Sequence, residues 1–325
     1  MLRRPVPVDG FYERPISRPL PRGRIFHRSG FKVSNRGPFT RRSGFIGDKA
    51  GGLAQEYHSK DFEWIDLYNE VAPILEGQVS SLDVIEPPPE ENHDFGCWES
   101  FHSQHGKGRF FKERRYLSLE FPQLGKSDPP QHFIEIGAGC GSSILPVLRS
   151  NNSCTCTACD VSSTALQLLM AAAKNTGIDC SRIKTVVLDA AEPPAENYTP
   201  IGGHEADCVL LVFTLSAVPP HMMANMLQHA FQCLRPGGLL LLRDYGLCDM
   251  TQLRYKASQR KGENLYQRSD GTLAYYFTKE FLSELMGNLG FEAVECEYVC
   301  VIWKNRKNGK ELKRVFVHGI FKKPD

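Results

Sequence analysis

Glu135-Ile136-Gly137-Ala138-Gly139-Cys140-Gly141 decides how this chain folds. The stretch closes the short apolar run QHFIEIG and leads into ILPVLRS, so a strand, a tight glycine turn and a helix follow one another. Glycines at such a turn let the backbone bend sharply and come close to a ligand. Outward from it, period-2 and period-3.6 apolar patterns alternate. Strands are predicted over 132–137, 154–159, 183–188, 206–213 and 238–244, and helices over 141–150, 163–176, 220–234 and 278–289. Alternation of this kind predicts a doubly wound, mainly parallel α/β sheet. Two late strands, near 292–302 and 312–321, flank the turn KNRKNGKE and predict a C-terminal antiparallel pair. The chain shows no internal repeat.

By itself a G-x-G-x-G loop could hold a dinucleotide or be only a tight turn. The acidic residues at the strand ends sharpen it. Asp160 follows the second strand, where a carboxylate can accept hydrogen bonds from ribose hydroxyls. Asp189 follows the third, at the rim of the same crevice, where it can meet an adenine amino group. Any one of these aspartates could instead be a surface cap; the three acids at successive strand ends argue together. The loop lacks the longer G-x-G-x-x-G of pyrophosphate binders, which argues against a dehydrogenase. Glu135, closing the first strand, would repel a pyrophosphate but suits a positively charged sulfonium. The expected cofactor is therefore S-adenosyl-L-methionine, held by Glu135, Gly137, Gly139, Gly141, Asp160 and Asp189, with Ala190 and Val212 at the neighbouring strand ends.

Composition bounds the rest. Of 325 residues, 41% are hydrophobic and 23% charged, as expected for a folded α/β domain with appendages. The apolar run near residue 210 is too short to span a bilayer, so no membrane segment is expected. A net charge of +2 hides a basic arm: residues 1–42 hold ten Arg and one Lys against Asp9 and Glu13. Residues 1–55 are expected to be a disordered basic arm, serving RNA binding, organelle import or only a solvated tail. Residues 56–93 are expected to hold a short helix around DFEWIDLYNEVAPIL and the acidic linker EPPPEENHD. An entry segment with a helical pattern from Phe111 to Phe121 is expected over 94–125, order beginning near Trp98, and the main domain over 126–325. Eleven cysteines and no secretory leader indicate free thiols in a reducing compartment, cytoplasmic or nuclear unless the arm directs import. Cys156 and Cys159 form one C-x-x-C without a second pair. They read as small buried strand residues, with zinc the less favoured alternative.

The second half is more specific. LSAV (215–218), RDYG (243–246), LRYKAS (253–258), GENLYQRSDGT (262–272) and YFT (276–278), with Trp98 and FFKERRYLSLEFPQL (110–124) upstream, resemble the eukaryotic methyltransferase-like family that makes 3-methylcytidine in transfer RNA. The likeness runs over about 94–322. It implies a Rossmann-like class I methyltransferase fold of seven strands, and Trp98 and His102 of the entry segment as further cofactor contacts. It also implies tRNA as substrate, and for some relatives a protein partner such as an aminoacyl-tRNA synthetase. Two positions depart from the family: Ser142 stands where Asn is usual, and His102 where an aromatic is.

Cytosine N3 carries a lone pair and no proton, so such a reaction needs no general base and rests on alignment. A carboxylate near the base, which becomes cationic, would favour the transition state. Asp244 is the expected carboxylate, with Tyr245 and Arg243 beside it; the alternative is an Asp244 ion pair with Arg243 or Arg254. Tyr245 and Tyr266 could stack on an extruded base or simply pack. Arg254, Lys256, Arg260, Lys261 and Arg268, with Arg109, Lys112, Arg114 and Arg115, could follow a phosphate backbone or form a solvated face. No metal is expected. The rivals are a methyltransferase of small molecules or proteins, and a catalytically weak RNA-binding subunit.

Overall fold

The apolar run before the glycine turn forms strand β1 (His132–Ile136) in the computed structural model, which describes residues 57–79, 96–106, 112–126, 128–129, 131–195, 201, 205–304, 309 and 311–325. The basic arm, the acidic linker and the turn between the last two strands lie outside the described residues, apart from Gly309. Ahead of β1 stand helices α1 (Trp64–Val79), α2 (Gly96–Gln104) and the single turn α3 (Leu117–Glu120). After it come α4 (Ile144–Ser150), β2 (Thr155–Asp160), α5 (Ser163–Asn175), β3 (Ile183–Val187), β4 (Ala206–Val212), α6 (Met223–Cys233) and β5 (Leu234–Tyr245). The chain continues through β6 (Arg260–Gly262), β7 (Leu265–Gln267), β8 (Leu273–Tyr275), α7 (Lys279–Asn288), β9 (Glu292–Lys304) and β10 (Glu311–Lys322).

Seven strands form one sheet in the order β3-β2-β1-β4-β5-β10-β9, with β10 antiparallel to both its neighbours. The predicted parallel sheet and C-terminal antiparallel pair are thus present. Both faces of the central strands are covered, as a parallel sheet requires. Leu166 and Leu169 of α5 pack with Leu148 of α4 and Leu117 of α3 on one face. Leu227 of α6 and Leu282 and Met286 of α7 pack on the other. Cys156 of β2 belongs to the first core and Cys159 to the second; all described cysteines are free, and no metal-ligand cluster occurs among the described residues. The strand order reverses between β1 and β4, which opens the crevice where such sheets bind ligands.

Two expectations need correction, and one sheet is new. The helical pattern of 111–121 yields only the four residues of α3; ahead of it the Arg114 amide donates to the Ser142 carbonyl at 2.8 Å. The expected order starting near Trp98 begins earlier: Trp64 of α1 stacks on Tyr298 of β9 at 4.5 Å, and its indole N–H donates to the Leu247 carbonyl at 3.0 Å. Between β5 and α7, β6, β7 and β8 form a separate three-stranded antiparallel sheet that no sequence pattern announced. No helix among the described residues is long and apolar enough to cross a membrane.

Candidate active site at the carboxyl edge of the sheet

The glycine loop is fixed by backbone. The Gly137 and Ala138 amides both donate to the Cys159 carbonyl, at 2.8 and 2.9 Å, which fastens the loop to the end of β2. Gly137, Gly139 and Gly141 all have left-handed φ, at +76°, +52° and +82°. They do different work. A Cβ on Gly137 would lie 2.3 Å from Thr214 Cγ2, and one on Gly141 2.9 Å from Leu169 Cγ, so those two glycines permit close packing. A Cβ on Gly139 would meet nothing nearer than His102 Cε1 at 3.8 Å. The room above Gly139 is therefore the cradle in which a ligand can approach the backbone.

Asp160 and Glu135 are the carboxyl groups there. Asp160 accepts the Gly139 amide at 2.7 Å on one oxygen and the Ser162 amide at 2.9 Å on the other. Burial pushes its carboxyl up, while the two amides and nearby His102 pull the other way. Glu135 is 1% exposed, and neither of its carboxylate oxygens has a partner in hydrogen-bond geometry. Its burial raises it to about 8, partly offset by the Arg114 guanidinium and the Ser143 hydroxyl. A buried carboxyl that makes no hydrogen bond of good geometry, beside a backbone cradle, fits a ligand that brings positive charge or donors. The residues expected to hold S-adenosyl-L-methionine thus form a set suited to it.

Helix α2 covers the cradle. Glu99 anchors it by accepting the Ser162 hydroxyl at 2.6 Å and the Thr164 hydroxyl, both at the start of α5. His102 is buried, with Nδ1 3.5 Å from Cys140 Sγ and Trp98 and Phe101 packed around its ring. Burial lowers its pKa, against the pull of Asp160 and Glu99. Asp189 turns its own segment by accepting the Ala191 amide at 2.9 Å, and Ala190 and Val212 are core residues at the strand ends.

At the ends of β4 and β5 neighbouring side chains diverge. Asp244 is fully buried and accepts the Ser216 and Tyr245 amides, each at 2.9 Å; burial raises it to about 6. It pairs with neither Arg243 nor Arg254. Arg243 points through the opposite face, where its guanidinium meets Glu120 at 2.5 Å and the Tyr57 hydroxyl at 2.8 Å. His318 Nδ1 lies 3.1 Å from the same Glu120 oxygen. This corrects the grouping of Arg243 with Asp244, since adjacent strand residues face opposite sides. Tyr245 remains partly exposed, its ring 5.1 Å from Phe213 and 5.7 Å below the Arg268 guanidinium.

The expected basic strip does not form one row. Arg109 lies outside the described residues, and Lys112, Arg254 and Lys256 are exposed. Arg115 is bonded to Glu113 at 3.0 Å. Arg268 donates to the Leu273 carbonyl at 2.5 Å and the Thr272 hydroxyl at 3.2 Å. Tyr266 is 3% exposed and stacked on Tyr255 at 4.7 Å, so it packs rather than offers a surface. Arg114, read with the strip, instead bonds the Ser142 and Ser143 hydroxyls at 2.7 and 3.2 Å. The departure at Ser142 is thus met by a cation from the entry segment. Sequence reading missed Glu99 and the conformation of Phe213; neither has a local pattern, although the acid one residue after Trp98 was visible.

Residues 107–296 match the family model described as a methyltransferase domain. The chain is 36% identical over 231 residues to the human tRNA N(3)-cytidine methyltransferase METTL6, covering 70% of this chain and 79% of the relative. It is 35% identical over 235 residues to the Drosophila melanogaster tRNA N(3)-methylcytidine methyltransferase Mettl2, covering 70% of each. The fold is similar to that of an S-adenosylmethionine-dependent methyltransferase from Anabaena variabilis, with TM-score 0.53, 15% identity, 74% of this chain and 99% of that one. With a methyltransferase domain across its centre and this degree of identity, the chain belongs to the tRNA N(3)-cytidine methyltransferase family.

Proposed function

We infer that the protein transfers a methyl group from S-adenosyl-L-methionine to N3 of a cytidine in the anticodon loop of tRNA. The observation that carries the reading is the cradle above Gly139, walled by Asp160 and the buried Glu135 and abutting the ends of β4 and β5, in a chain of this family. S-adenosyl-L-methionine, when bound, supplies the electrophilic methyl group. The protein's own part is placement. Asp160 sets the shape of the glycine loop and offers its carboxylate to the ribose hydroxyls. Glu135 lies beneath the cradle, where a cationic ligand would favour its ionised form, and α2, pinned by Glu99, keeps water out. Asp244 holds the Ser216 and Tyr245 amides and so fixes the strand ends, and its ionised form favours a base becoming cationic. No residue need take a proton from N3.

The exposed Lys112, Arg254 and Lys256 suit phosphate contacts, and the basic arm a further one. A protein partner such as an aminoacyl-tRNA synthetase and a cytoplasmic or nuclear site of action complete the proposal. Its test is nucleoside mass spectrometry of unmodified tRNA incubated with the full-length protein and S-adenosyl-L-methionine, with and without cell extract. Appearance of 3-methylcytidine supports it. Methylation of another base, or of no RNA in either arm, overturns it. A reporter carrying residues 1–42 shows whether the arm directs import.

A further inference from the structure

We propose that Phe213 is the surface against which the target base is stacked for methyl transfer. The inference rests on the reading of the protein as an N3-cytidine methyltransferase and adds to it a positioning residue.

The first support is conformational. Phe213 has φ +59°, in the left-handed region that bulky residues avoid. It is locked there from both sides. Its amide donates to the Arg243 carbonyl of the neighbouring strand at 2.8 Å. The next residue, Thr214, fills the space that a Gly137 side chain would occupy, only 2.3 Å from that Cβ position. A glycine would perform this turn without strain, as glycines do throughout the loop opposite. The strained residue is retained where its side chain is needed, and strain of this kind collects at functional sites.

The second support is the ring's place. Phe213 stands one residue beyond β4, at the seam between the glycine cradle and the β5 end that carries Asp244 and Tyr245. Phe213 is only partly buried. The neighbouring aromatics Phe316, Tyr276 and Tyr266 are closed off at 2%, 1% and 3% exposure. Tyr245 lies 5.1 Å away, Phe316 meets the ring edge-on at 5.6 Å, and the Arg114 guanidinium lies over one face of the ring, 5.3 Å from its centroid, which leaves the other face for a base. Arg114 also bonds Ser142 and Ser143, so the ring and the cradle share a neighbour.

The chemistry fits the position. The reacting lone pair of cytosine N3 lies in the plane of the base. A stack fixes that plane and so aims the lone pair along it. An aromatic face also attracts the base more strongly as it gains positive charge, which favours the transition state over the ground state.

The test uses the full-length protein with Phe213→Gly, Phe213→Leu and Phe213→Trp. Thermal midpoint, S-adenosyl-L-methionine affinity by calorimetry, tRNA affinity by anisotropy and single-turnover rate of 3-methylcytidine formation are measured for each. The glycine and leucine variants are expected to keep cofactor affinity within about twofold and to lose about ten- to a hundredfold in rate, the scale of one base stack. Tryptophan is expected to restore most of the rate, and glycine to leave the midpoint near wild type. Phe213→Leu at wild-type rate overturns the proposal, as does a rate loss that tryptophan fails to restore. Should Phe213→Gly fail to fold, Phe213→Leu against Phe213→Trp still decides. Failure of the underlying reading shows separately, as absence of 3-methylcytidine with the wild-type protein.

Discussion

Asp160 reaches from the end of β2 across to Gly139 and accepts its amide at 2.7 Å, while its second oxygen holds the Ser162 amide at the start of α5. One carboxylate therefore sets the shape of the glycine loop and starts the next helix. Asp160→Ala is expected to weaken S-adenosyl-L-methionine binding by about 2–4 kcal/mol, through lost charge-assisted bonds and a loosened loop. Asp160→Asn, which keeps one acceptor, should fall between. Calorimetry on variants with wild-type circular dichroism checks this; unchanged affinity in Asp160→Ala would remove the residue from the site.

Glu135 titrates near 8 in the folded chain because burial penalises its charge. A raised folded pKa means that its contribution to stability is complete below the unfolded carboxyl range and is lost as pH rises through about 8. Wild-type stability should therefore decline over that window more than that of Glu135→Gln, as followed by denaturant titration at several pH values. Binding of a cationic cofactor above it should lower its pKa and release part of a proton near pH 7.5. Calorimetry in buffers of different ionisation enthalpy reads that release, which Glu135→Gln should abolish.

Asp244, raised to about 6 by burial, carries its charge only above that pH. The methyl-transfer rate should climb with pH through about 6 and level off. Asp244→Asn keeps the shape and one acceptor but not the charge; it should lower the single-turnover rate by roughly 10²–10³ and remove that limb. Asp244→Ala leaves the Ser216 and Tyr245 amides buried without an acceptor, and should also cost on the order of 2–4 kcal/mol of stability. A normal rate in Asp244→Asn would leave the residue a brace only.

The Glu120–Arg243 pair lies on the face of the sheet opposite to the Asp244 side chain. Glu120→Gln strands a buried guanidinium and should destabilise the fold by about 3–5 kcal/mol. Replacing both, as Glu120→Leu with Arg243→Met, should cost less than either single change. Cofactor affinity should stay put in the double variant, measured beside its denaturation midpoint.

What was legible in the sequence is what depends on local backbone. The glycine turn, Asp160 after β2 and the alternating strands all follow from neighbouring residues and a fixed period. What escaped depends on distant partners. RDYG placed Arg243 and Asp244 at the correct strand end, and period 2 demands that they part; nothing local tells which one turns toward the site. The strands β6, β7 and β8 are three residues each, too short for any periodic window. The sequence leaves Tyr266 open between stacking on a base and packing, because the tyrosines that bury it, Tyr255 and Tyr276, sit on other elements. Arg114 looked like part of a surface strip because its partners Ser142 and Ser143 lie beyond a strand.

The seat of the N-terminal segment has a consequence for how the chain is made. Asp61 donates its amide to the Cys300 carbonyl and accepts the Ile302 amide on its side chain at 2.9 Å, while Trp64 lies on Tyr298. Made more than two hundred residues ahead of β9, these must wait for that strand to give them a surface. A nascent chain stopped after α7 would carry α1 with its stacking partner still untranslated. Docking of that helix therefore reports that translation has passed β9.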